Sequence, residues 1–111
     1  MKLVFAVVQG KDADNLRSAL LDGGYRTTQI NSAGGFLRES NATFLIGVDD
    51  EYVADVLRII KRTCYTRTQY VNPLMPIMEP GEFYVPTPVE VQVGGATVFI
   101  CNVDRHERIM P

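Results

Sequence analysis

Leu3 to Val8 is an unbroken run of apolar residues of strand length, Leu-Val-Phe-Ala-Val-Val. Such a run fits a central strand covered on both faces, so whatever packs on one side, something else has to hide the other. The next residues supply the first cover. Asp12 or Asp14 can cap a helix over residues 12 to 22, in which Ala13, Leu16, Ala19 and Leu20 recur at the three- and four-residue spacing of an apolar stripe. Gly23-Gly24 stops it. A second helix is predicted at about 51 to 63. Asp50 and Glu51 favour its start, Val53, Val56, Leu57 and Ile60 form its buried stripe, and Arg58, Lys61 and Arg62 fall in its last turns, where the helix dipole prefers cations.

Between the helices lie two strands. Residues 25 to 31 alternate, with Arg26, Thr28 and Ile30 on one face and Tyr25, Thr27 and Gln29 on the other; at 42 to 49, Ala42, Phe44, Ile46 and Val48 share a face. Thr63 to Val71, rich in threonine and tyrosine, reads as a strand, while residues 72 to 88 hold five of the six prolines and cannot continue regular structure. Leu74, Met75, Ile77, Met78, Phe83 and Tyr84 make this long loop too apolar for a passive linker. Either it packs on the body or closes over a ligand, or it is partly disordered until a ligand binds. Val89, Val91 and Val93 then alternate with Glu90 and Gln92, Gly94-Gly95 supplies a hairpin turn, and Ala96 to Val103 returns as the final strand.

The resulting order is β-α-β-β-α-β with an extra strand pair before the last strand. This is an α+β, ferredoxin-like arrangement, an antiparallel sheet with both helices on one face. The other face of the sheet is left bare, which predicts a homo-oligomer. At 111 residues the chain is expected to be a single domain, residues 1 to 111, with one core. A net charge of −2 gives no electrostatic reason to expect DNA or RNA as partner. Without a run of roughly 20 apolar residues or a leader-cleavage region, a cytoplasmic location and no membrane insertion are expected. Cys64 and Cys101 stand far apart with no Cys or His at metal spacing, and the single histidine, His106, has no converging partners, so no metal, cofactor or disulfide is expected.

The stretch from 25 to 50 carries more functional side chains than a hairpin needs. Ser32 to Gly35 can turn, Phe36 and Leu37 follow with no obvious core partner, Arg26 and Arg38 offer forked donors suited to phosphate, and Asn41 carries a two-way amide suited to a base edge. Gly47 would let a flat ring approach the backbone. Two readings stand. Phe36 tucks into the core and the arginines are solvated, or these groups line a nucleotide-sized pocket.

Arg26-x-Thr28, Gly34-Gly35-Phe36-Leu37 and Asn41-x-Thr43-Phe44-Leu45-x-Gly47-Val48 resemble the PII-like cyclic di-AMP receptor family of the nitrogen regulatory protein PII superfamily. So do the opening Met-Lys-Leu-Val-Phe-Ala-Val-Val-Gln, Tyr84-Val85-Pro86-x-Pro88-Val89-Glu90-Val91 and Gly94-Gly95-Ala96-Thr97-Val98-Phe99, which makes the resemblance nearly full length. It implies a homotrimer with ligand sites in the clefts between subunits and an unknown downstream protein partner. It also implies that the ligand, cyclic di-AMP, meets Arg26 and Thr28 at phosphate or ribose. The Gly35 to Leu37 backbone and the Phe36 ring would meet one adenine, Asn41 with the Gly47 backbone would read an adenine edge, and Arg38 is a secondary candidate. The chain departs from the family pattern at Pro76-Ile77-Met78-Glu79-Pro80-Gly81 and in its tail, His106-Glu107-Arg108-Ile109-Met110-Pro111.

Catalysis lacks its usual parts. Neither a phosphate loop nor a Ser-His-Asp set can be assembled, and although Val8-Gln9-Gly10 looks like part of the acylphosphatase signature, Asp14 stands where that signature needs an arginine. A carboxylate there would repel the phosphate. A binding module fits better, and the resemblance implies a non-enzymatic signalling protein, with a sensor of ATP, ADP or another adenine nucleotide and a ligand-free adaptor trimer as the alternatives.

Overall fold

The computed structural model describes residues 1–32, 41–71 and 88–110. Strand β1 (Lys2–Gln9) leads into helix α1 (Gly10–Asp22), and β2 (Thr28–Ser32) and β3 (Asn41–Val48) follow. A single tight helical turn, Asp50–Tyr52, opens into α2 (Val53–Thr63). Then come β4 (Arg67–Val71), β5 (Val89–Val93) and β6 (Ala96–Asn102). Four strands form an antiparallel sheet in the order β2-β3-β1-β6, and β4 with β5 forms a separate two-stranded ladder. This mixed α+β arrangement is compatible with the ferredoxin-like order, and the apolar run sits at the centre of the larger sheet.

Alternation along β1 and β3 decides which face is which. Val4, Ala6 and Val8 are buried with Ala42, Phe44, Ile46 and Val48, and Leu16 and Leu20 of α1 and Val56, Ile59 and Ile60 of α2 close the same core. Successive strand residues point to opposite faces, so Leu3, Phe5 and Val7 face away from both helices. The register places Phe5 opposite Leu45 on one side and Phe99 on the other. Ile30, in register with Thr43, extends this open face, on which Phe99 is 57% and Ile30 51% exposed.

Four expectations need correction, the first being the strand expected from Thr63: α2 runs through Thr63 and the strand starts at Arg67. Helix α1 begins at Gly10 without a side-chain cap, and Asp12, read as a cap, is buried and bonded to Arg67. The strand expected from residue 25 starts at Thr28, because residues 25–27 make no ladder pair with β3. Gly94-Gly95 does not turn a hairpin: β5 pairs with β4 while β6 pairs with β1, so the two glycines pass the chain from one sheet to the other. Both have positive φ, +90° and +87°, the backbone region that glycine enters without strain. A Cβ at Gly94 would overlap the Tyr65 carbonyl oxygen.

Candidate functional site

Strand β3 carries two of the candidate residues, Asn41 and Gly47. Its odd-numbered residues, Asn41, Thr43, Leu45 and Gly47, lie on the open face, opposite the buried even-numbered set. Thr28 pairs with Leu45 and shares that face, and Gly47 lies two residues further along β3. Arg26 is exposed, just before the start of β2. Arg26, Thr28 and Gly47 therefore gather at one end of the sheet.

Asn41 is at the other end, in register with Ser32 on one side and Gln9 on the other. It stands about 20 Å from Gly47 along a strand that rises about 3.3 Å per residue. A hydrogen bond reaches only about 3 Å, so Asn41 and the Gly47 backbone of one chain cannot read the same adenine edge. That pairing of roles is corrected by the extended geometry of β3. Gly35, Phe36, Leu37 and Arg38 lie outside the described residues; the segment that holds them leaves from Ser32 and returns at Asn41, so it is rooted at the Asn41 end.

Each end of β3 has its own cavity. At the Gly47 end a cavity of about 420 Å³, within the range of small-molecule sites, is lined by Gly24, Tyr25, Gly47, Asp49 and Tyr52. The ladder with β2 stops at Leu45, so beyond it the β2-side edge of β3 has no strand partner among the described residues. A Cβ at Gly47 would meet nothing within 4 Å, which leaves room for a flat group against the backbone. The rings of Tyr25 and Tyr52 stand edge to face, 6.3 Å between centroids. The Tyr25 hydroxyl donates to Asp55 Oδ2 at 2.6 Å, and Arg58 Nη2 holds Asp55 Oδ1 at 2.9 Å. That hydrogen bond to Asp55, with partial burial, pushes the Tyr25 hydroxyl up to about 12, so it remains a neutral donor at neutral pH.

At the Asn41 end a cavity of about 340 Å³ is lined by Gln9, Asn41, Gly94, Gly95 and Thr97 among others. Gln9, Gly94 and Tyr52 line these cavities although the sequence does not single them out as ligand contacts, and Tyr25 figures in it only as the first residue of the stretch from 25 to 50. Only the strand register, which pairs Gln9 with Asn41, and the packing of the tight turn against residue 25 bring them to the site. Among the described residues no group of three or more His, Cys, Asp or Glu side chains could hold a metal, and no helix is long and apolar enough to cross a membrane. Asp14 forms an ion pair with Arg17 on α1. Burial pushes the Cys64 thiol up, whereas Cys101 is exposed on β6.

A protein of unknown function from Pediococcus pentosaceus ATCC 25745, known as a crystal structure, is similar to this chain at 42% identity. The likeness covers 97% of this chain and 96% of that one, with a TM-score of 0.74. The sequence profile described as cyclic-di-AMP receptor matches residues 1–109. The chain belongs to the cyclic-di-AMP receptor family.

Proposed function

We propose that the chain binds cyclic di-AMP in clefts between copies of itself in a homotrimer, and signals without catalysis. The match over residues 1–109 is the observation that carries the ligand. The oligomer is supported by the open sheet face, where Leu3, Phe5, Leu45 and Phe99 present apolar groups that neither helix covers. Arg26 and Thr28 donate to phosphate or ribose, Gly47 admits an adenine against the β3 edge, and Asn41 reads a base edge at the far end of the strand. The separation of Asn41 from Gly47 is served most simply by a cleft in which the Gly47 end of one copy meets the Asn41 end of the next. Gly35, Phe36 and Leu37 complete the adenine contact on this reading, with Arg38 as a further cation. Binding orders the segments 32–41 and 72–88 and so changes the surface offered to a downstream protein. Only a ligand that prefers the ordered state can do this.

Isothermal titration calorimetry with cyclic di-AMP tests the ligand, and light scattering coupled to size exclusion tests the trimer. A monomer at micromolar concentration would sink the intersubunit cleft. Gly47→Val gives a sharper test, because an added Cβ meets nothing within 4 Å among the described residues and β-branched residues suit strands. The variant is expected to melt no lower than the parent and to lose cyclic di-AMP affinity by at least about tenfold, roughly 1.4 kcal/mol. Unchanged affinity removes Gly47 from the site.

A further inference from the structure

Among the described residues the β4–β5 hairpin is a ladder whose strands pair only with each other. A lone two-stranded hairpin is marginally stable in water, so its direction is decided at its root. Arg67, the first residue of β4, donates from Nη2 to Asp12 Oδ1 at 2.9 Å and from Nη1 to the Tyr65 carbonyl at 3.1 Å. Its guanidinium carbon lies 5.1 Å from the centroid of the Tyr65 ring. On the other strand the Gly94 N–H donates to Gln9 Oε1 at 2.9 Å and the Gly95 N–H to the Cys64 carbonyl at 2.6 Å. Gly94 passes so close to Arg67 that a Cβ there would lie 2.9 Å from Nη1.

Asp12 belongs to the body, in the first turn of α1, and its side chain is only 2% exposed. Its second oxygen, Oδ2, has no hydrogen-bond partner among the described residues. A buried carboxylate with an unused oxygen is costly, and apolar residues of the same shape would hold the chain at less cost. What the pair adds is direction: the planar fork of Arg67 ties α1 and the backbone at Tyr65 at a fixed angle. Gln9 joins this root to the ligand face, since its backbone pairs with Asn41 and its side chain holds Gly94. The cavity at that end is accordingly walled by Asn41 and by the hairpin root together.

We propose that Asp12 and Arg67 are positioning residues for the ligand: they set the hairpin at the angle that shapes the cavity beside Asn41, and a ligand group in that cavity holds the hairpin in return. The coupling is reciprocal by necessity and rests on the cyclic di-AMP reading above. Neither side chain has to touch the ligand.

Hydrogen–deuterium exchange on the full chain tests this, comparing the parent with Arg67→Lys, which keeps the charge and loses the fork. Amides of 67–71 and 89–93 in the ligand-free variant are expected to exchange at least about tenfold faster, with β1 and β3 unchanged. Saturating cyclic di-AMP slows hairpin exchange in the parent and by a smaller factor in the variant, whose affinity falls by about tenfold. Asp12→Asn gives the same pattern from the other partner. Equal hairpin exchange in ligand-free parent and Arg67→Lys overturns the joint. Equal ligand-induced slowing and equal affinity overturn its link to the site. No binding by the parent sinks the ligand reading and the coupling with it, while the ligand-free exchange still decides the joint.

Discussion

If copies of the chain meet as proposed through the open sheet face, Phe5→Asp is expected to leave monomers and to lower cyclic di-AMP affinity by at least about a hundredfold, roughly 2.8 kcal/mol. Phe5 stands at the middle of the open face, between Leu45 and Phe99 in register, and faces away from the helices. Burying a phenylalanine at an interface is worth about 1.5–3 kcal/mol, and a carboxylate there adds the cost of an uncompensated buried charge in every copy. The core lies on the opposite side of β1, so the variant is expected to keep its circular dichroism spectrum. Light scattering and calorimetry on the same sample check the prediction. A persistent trimer with full affinity would mean that the copies meet elsewhere.

Phe44→Ala, one residue from Leu45 but on the other face, is expected to do the reverse. Phe44 is fully buried between the sheet and both helices, and truncating such a side chain costs about 3–5 kcal/mol. Domains are stable by only about 5–15 kcal/mol, so the thermal midpoint is expected to fall by more than about 10 °C. The fraction that remains folded keeps its open face and binds cyclic di-AMP as the parent does. A loss in stability of less than about 1 kcal/mol would show that the core around Phe44 closes over the gap. The two variants separate the faces of one strand pair: one face holds the fold, and the other is the face proposed to meet a second copy and the ligand.

Much of this division was legible in the sequence, because a strand shows its two faces by alternation and a buried central strand shows none. The run Leu3 to Val8 marks its strand by lacking a period, and period places Leu16 and Leu20 of α1, Val56 and Ile60 of α2 and the buried set Ala42, Phe44, Ile46 and Val48; on α2, Ile59 is buried where the expected stripe had Leu57. What period does not carry is pairing. Gly94-Gly95 has the positive φ values that a hairpin turn also uses, and nothing local says whether the strands on either side stay in one sheet or part. Asp12 at a helix start looks like a cap until Arg67, 55 residues later in the chain, is seen to hold it. The distance between Asn41 and Gly47 followed from strand geometry, yet only the observed strand, unbroken from one to the other, made it binding on their roles.

Calorimetry on the purified protein, with ATP and cyclic di-GMP as controls, tests most directly whether this chain is a receptor for cyclic di-AMP. The expected result is saturable heat from cyclic di-AMP alone, with a submicromolar Kd, stronger than about −8 kcal/mol, and about one ligand per subunit. No heat from cyclic di-AMP, or equal heat from ATP, would contradict it and leave an adenine-nucleotide sensor or an empty pocket as the working description.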